Sequence, residues 1–101
     1  MKLLKGILLI FIITSVLFSA TTGKITGIVK DVRTGEPLAG ANVIIEGTSM
    51  GAATDAEGYY VILNVPPGKY AVYASYVGYA KLEKKNVFIE IDLTTETNFE
   101  M

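Results

Sequence analysis

A chain of 101 residues with neither cysteine nor histidine has room for one domain and excludes disulfides, thiolate or imidazole metal sites, an acylated lipoprotein cysteine and every Ser-His-Asp or Cys-His catalytic arrangement. Half of its residues are hydrophobic, but much of that excess lies before Thr21, and from Thr21 onward seven basic residues stand against ten acidic ones, a net charge of −3. Phosphate binding needs a concentrated basic face, so this balance argues against a nucleic-acid partner.

Residues 1–20 read as a secretory signal: Lys2 and Lys5 form the positive start, residues 6–18 the apolar stretch, and Ser19 and Ala20 a small-residue exit. A spanning helix needs about 20 apolar residues, and this run is shorter and broken by Thr14 and Ser15. The expectation is export to the periplasm, outer membrane or medium, with cleavage after Ala20 and no membrane anchor left behind. Residues 21–101 then form the folded domain.

From Lys24 onward, short β-prone runs alternate with turn signals and no stretch keeps helical spacing. Residues 24–30 place Ile25, Gly27 and Val29 on one face, and 31–35 make a turn ending in glycine. Pro37 and Leu38 form an extended connection, and the β-branched run over 41–46 suits a buried strand. A short segment at 52–54 and a tight turn at 55–58 lead into the strand 59–65. Pro66, Pro67, Gly68 and Lys69 predict a type II turn with positive φ at Gly68, closing a hairpin between 59–65 and 70–76. In the second of these strands Tyr70, Val72, Ala74 and Tyr76 share a face. A polar stretch over 81–86 reads as a solvated loop or sheet edge, after which Val87, Ile89, Ile91 and Leu93 line one face, and Thr97, Phe99 and Met101 alternate against Glu96, Asn98 and Glu100. About seven such strands cannot hide their apolar faces in one sheet, so two must pack together: an all-β, antiparallel-rich sandwich.

Few residues carry chemistry. Asp31, Asp55 and Glu57 are candidate oxygen ligands, but calcium wants six to eight oxygens from a dense acidic loop, and an aspartate ahead of a glycine turn caps backbone N–H groups instead. No pair of carboxylates among Asp55, Glu57, Glu83 and Glu90 stands out for acid–base work. No cofactor is implied, and an enzyme is not expected. All six tyrosines fall between Tyr59 and Tyr79, on strands expected to be hairpin neighbours. Alternation sends Tyr60, Tyr70 and Tyr76 to the core and leaves Tyr59, Tyr73 and Tyr79 as a candidate ligand face, of the kind that holds sugar rings. The run Lys81, Lys84 and Lys85 reads as a solvated loop or an edge that discourages strand addition.

Five blocks in order, Gly27-x-Val29-x-Asp31, Thr34-Gly-Glu-Pro-Leu-Ala-Gly-Ala-Asn-Val43, Thr54-Asp-x-x-Gly58-x-Tyr60, Val65-Pro-Pro-Gly-Lys-Tyr70 and Ser75-Tyr-Val-Gly-Tyr79, resemble the carboxypeptidase-regulatory-like domain. The resemblance implies a transthyretin-like, Greek-key sandwich of seven strands and a non-catalytic role. It also implies the company of TonB-dependent outer-membrane receptors, before whose plug such domains sit, including receptors that import glycans. The sequence stops at Met101 without a plug or barrel, so the expectation is either the N-terminal piece of a longer protein or a module made alone. The partner implied is an envelope protein, and the alternative is a carbohydrate-binding module using the exposed tyrosines.

Overall fold

The computed structural model describes residues 21–101; the leader expected over 1–20 lies outside them. Eight strands are present: β1 Gly23–Lys30, β2 Asn42–Ile45, β3 Gly51–Ala53, β4 Tyr59–Val65, β5 Gly68–Ser75, β6 Leu82–Ile89, β7 Thr94–Glu96 and β8 Phe99–Glu100. They form two sheets, one with β1 at its centre, flanked by β4 on one side and by β7 and β8 on the other, and one in the order β3-β2-β5-β6. The all-β sandwich read from the sequence is the fold.

β1 organises the first sheet. Its period-2 pattern buries Ile25 and Val29 completely while Lys24 and Ile28 face outward. It runs antiparallel to β4, with Thr26 opposite Val61, and parallel to both β7 and β8. The last two are halves of one interrupted strand. At the break the Asn98 side-chain oxygen accepts the Ile28 N–H at 2.9 Å, substituting for a ladder bond, and the Thr97 N–H donates to the Thr26 carbonyl at 2.8 Å. Counted this way, the sandwich has the expected seven strands.

Ile25, Val29, Val43, Ile45, Val65, Val72, Ala74 and Phe99 from both sheets meet with no exposed surface. Burying each of the larger side chains contributes roughly 1.5–3 kcal/mol. Tyr60 lies among them, its ring centroid 6.4 Å from that of Phe99 at a 49° tilt, and its hydroxyl donates to the Thr97 carbonyl. That bond lets a phenol enter the core, since a buried hydroxyl left without a partner costs about 1–3 kcal/mol. Burial pushes the Tyr60 hydroxyl pKa well above the usual tyrosine range.

Three local expectations are corrected or narrowed. First, β4 and β5 do not form a hairpin: β4 pairs with β1, and β5 pairs with β2 and β6. Pro66 and Pro67, which have no N–H to offer a ladder, carry the chain across from one sheet to the other. Asn64 takes the left-handed conformation at φ 57, whereas Gly68 at φ 158 is close to extended. The corner is tied by the Tyr70 hydroxyl, which donates to the Pro66 carbonyl at 2.7 Å. Second, of the loop and edge readings of the stretch after Lys81 the structure takes the edge: residues 82–89 are strand throughout, as the open edge β6. An edge strand covers little, so apolar alternation is not demanded of it. An extra residue near Asn86 (φ 59) shifts the register against β5 and turns Val87 and Ile89 inward. Third, the inward run ends at Ile89. Ile91 and Leu93 are half exposed in a turn closed by the Leu93 N–H donating to the Glu90 carbonyl at 3.3 Å.

Candidate functional site

At one end of the sandwich the β1–β2 loop, the β5–β6 loop and the last residue meet around a cleft of about 410 Å³ lined by Asp31, Val32, Arg33, Gly78, Tyr79, Ala80 and Met101. Asp31 organises it. One carboxylate oxygen accepts the Arg33 and Thr34 N–H groups at 2.8 and 3.0 Å, and the other accepts the Tyr79 hydroxyl from 48 residues away. Tyr79 packs edge-on against Tyr76 with ring centroids 5.5 Å apart. One side chain therefore shapes its own turn and clamps a second loop onto it.

The clamp leaves a titration signature. The Tyr79 hydrogen bond, followed by the two backbone N–H groups, holds the Asp31 carboxyl below its ordinary value, and the same bond raises the Tyr79 hydroxyl. A depressed carboxyl pKa means that the clamp is intact above the ordinary carboxylate value and is lost as pH falls through the lowered one. Following the Asp31 carboxyl carbon by NMR through an acid titration is expected to give a midpoint below that of an exposed aspartate. Tyr79→Phe is expected to move it back up, and an unchanged midpoint in that variant would show that the backbone donors act alone.

Asp55 does the same work at the other turn, accepting the Glu57 and Tyr59 N–H groups, each at 2.9 Å. Both aspartates are thus turn caps. Among the described residues no three histidine, cysteine, aspartate or glutamate side chains converge as a metal site would need.

The candidate tyrosines are dispersed. Tyr60 faces the core, so its neighbour Tyr59 stands on the outer face of the first sheet, opposite Ile28. Val72 and Ala74 face the core from the other sheet, so Tyr73 stands on the opposite exterior, between Ile44 and Glu83. The Lys81 ammonium sits 3.8 Å above the Tyr73 ring and covers the face a ligand would stack on. Tyr79 belongs to the loop cleft. The hairpin expected to gather these rings does not exist, and the crossing at Pro66 and Pro67 separates them.

A surface overlooked in the sequence is the outer face of β4. Val61 and Leu63 stand there at 36% and 61% exposure beside Tyr59 and Ile28. Its signal is that residues 59–65 are apolar on both faces, where a strand with one wet side alternates.

Comparison with known proteins places this geometry in a lineage. The chain is 44% identical over 59 residues to the TonB-dependent receptor SusC of Bacteroides thetaiotaomicron, covering 58% of this chain and 6% of the receptor. It is 37% identical over 81 residues to the TonB-dependent receptor P39 of Formosa agariphila, covering 77% of this chain and 7% of the receptor. The chain thus spans less than a tenth of the receptors it matches. A chain of a type II cohesin–X–dockerin complex from Acetivibrio cellulolyticus superposes with a TM-score of 0.64 at 26% identity, over 76% of this chain and 52% of that one. The family description "carboxypeptidase regulatory-like domain" matches residues 24–101, from the second residue of β1 to the C-terminal methionine, and the chain belongs to that family.

Proposed function

We propose that this chain is a non-catalytic interaction module of the cell envelope, exported by its first twenty residues, with residues 21–101 serving as the N-terminal accessory domain of a TonB-dependent receptor or as a separate domain docked on one. The observation that carries this reading is the 37% identity to a TonB-dependent receptor across 77% of the chain. The chemistry agrees. The chain carries no histidine or cysteine, and Asp31 and Asp55, the two carboxylates that shape the loops, are committed to backbone N–H groups. Glycan stacking on Tyr59, Tyr73 and Tyr79 together has no shared face to use, so contact with protein is the reading better supported by the geometry.

The test is cross-linking in intact envelopes of cells producing a tagged form of the chain. The expected product contains TonB-dependent receptor sequence, either in the same polypeptide or joined through the cross-linker. A tagged species found only free and soluble, with no receptor product, would contradict the reading.

A further inference from the structure

One side of the sandwich, between β6 and the interrupted β7–β8 strand, holds a groove of about 490 Å³. Lys84, Lys85 and Asn86 line it from β6, and Glu96, Thr97 and Asn98 line it from the other sheet. The bulge in β6 puts both lysines there. Val72 is buried and lies directly opposite Lys84, so Lys84 points to the inner side of its sheet. In a regular strand Lys85 would point the other way. Instead Lys85 and Asn86 together face the single residue Ala71, because Val87 lies opposite Tyr70, and Asn86 takes the left-handed conformation at φ 59. A bulge re-aims side chains, and here the ammonium-bearing residues of consecutive positions line one groove.

The surrounding groups leave these cations available. The Lys84 ammonium sits 5.6 Å above the Phe99 ring. Glu96 is the one carboxylate among the lining residues, and it accepts the Asn98 side-chain N–H at 3.0 Å. On the floor, Thr97 is only 7% exposed. The hydroxyl of Thr54, the other buried threonine, is bonded on both sides, to the Ala41 N–H and to the Leu38 carbonyl. No such partner meets the Thr97 hydroxyl among the described residues, and no fully enclosed side-chain polar atom there goes without one, so this hydroxyl opens onto the groove that Thr97 lines.

We infer that this groove binds the phosphate or sulfate group of a small ligand, with Lys84 and Lys85 supplying charge and the Asn86 amide and Thr97 hydroxyl supplying neutral donors. A lysine ammonium is a compact charge with three rotatable donors and suits a tetrahedral oxyanion, whereas a planar carboxylate is matched best by the arginine fork. The only arginine of the chain, Arg33, lines the cleft at the end of the sandwich. Two lysines against one carboxylate that is already hydrogen-bonded favour a doubly charged group. From Thr21 onward the chain has seven basic and ten acidic residues, a balance that repels a polyanion, so the ligand carries a single such group. Oxyanion binding and receptor attachment are separate properties of the chain, and either can fail alone.

Titration of the isotope-labelled protein with inorganic phosphate, followed by NMR at an ionic strength held constant with sodium chloride, is the test. Saturable shifts centred on Lys84, Lys85, Asn86 and Thr97 are expected, with sulfate competing for the same residues and singly charged acetate binding at least about tenfold more weakly. Lys85→Gln is expected to weaken phosphate binding at least about tenfold, and Thr97→Val by about threefold or more, both with the circular dichroism spectrum preserved. Lys69→Gln, opposite the exposed Phe88 on the outer face of the same sheet, is expected to leave binding unchanged. Shifts that never saturate, or that appear equally at Lys24, Lys30 and Lys69, would overturn the proposal. So would acetate binding as tightly as phosphate, or an unchanged affinity in Lys85→Gln.

Discussion

Gly27→Ala is expected to lower stability by roughly 3 kcal/mol or more, at the top of the range for adding bulk to a packed interior, because the obstacle is backbone. A Cβ at this position points into the core, where it collides with the Thr97 carbonyl and comes within 2.8 Å of the Tyr60 ring. Neither neighbour has room to withdraw. The Thr97 N–H is bonded to the Thr26 carbonyl, the Tyr60 hydroxyl is bonded to the Thr97 carbonyl, and β1 is laddered on both sides. In a domain of this size each kcal/mol moves the melting temperature by about 4–8 °C, so a fall of about 12 °C or more is expected in a thermal melt. Gly35→Ala separates crowding from backbone strain. Gly35 sits at φ 74 with nothing within 4 Å of an added Cβ, so it carries only the left-handed penalty of about 1–2 kcal/mol. Equal losses in the two variants would mean that Gly27 is not a close-approach site.

Phe99→Ala is expected to cost about 3–5 kcal/mol, the range for removing a fully buried aromatic ring. Phe99 has no exposed surface, packs against Tyr60 and is the apolar anchor of the two-residue β8. Two residues of ladder hold that strand weakly, and without the ring the chain end beyond Thr97 is expected to release from β1. Phe88→Ala is the matched control: 61% exposed on β6, it is expected to change stability by less than about 0.5 kcal/mol, measured by denaturant unfolding. A C-terminus still protected from amide exchange in Phe99→Ala would show that β8 is held by its backbone alone.

What could be read from the residues, and what could not, follows from the range of the forces involved. Burial imposes a period of two, so the facing of Ile25 and Val29, of Tyr60, and of Thr97 and Phe99 was legible one strand at a time. Asp31 and Asp55 announced themselves as caps because their partners lie within four residues. The pairing of strands was not legible in the same way. Pro66, Pro67 and Gly68 fit a return into the same sheet as well as a crossing to the other, and both bury the same alternating faces. β6 could not be told from a loop because an edge strand hides little and tolerates Glu83, Lys84 and Lys85. Ile91 and Leu93 continued an alternation that the turn at Asp92 (φ 64) had already broken. The Asp31–Tyr79 clamp joins residues 48 apart, and no local pattern could announce it. Dispersal of Tyr59, Tyr73 and Tyr79 is a direct result of the crossing, and the sugar-platform expectation depended on the hairpin.

That crossing decides which surfaces the module presents: it frees β4 as an open edge and sends the tyrosines to different faces. Interstrand nuclear Overhauser contacts in an isotope-labelled sample report it most directly. The expected pattern is antiparallel contact between Thr26 and Val61 and between Val43 and Ala74, parallel contact between Ile25 and Thr95, and no ladder between β4 and β5. A continuous antiparallel ladder from Val65 and Gly68 back along β4 and β5 would contradict the sheet assignment and return the tyrosines to one face.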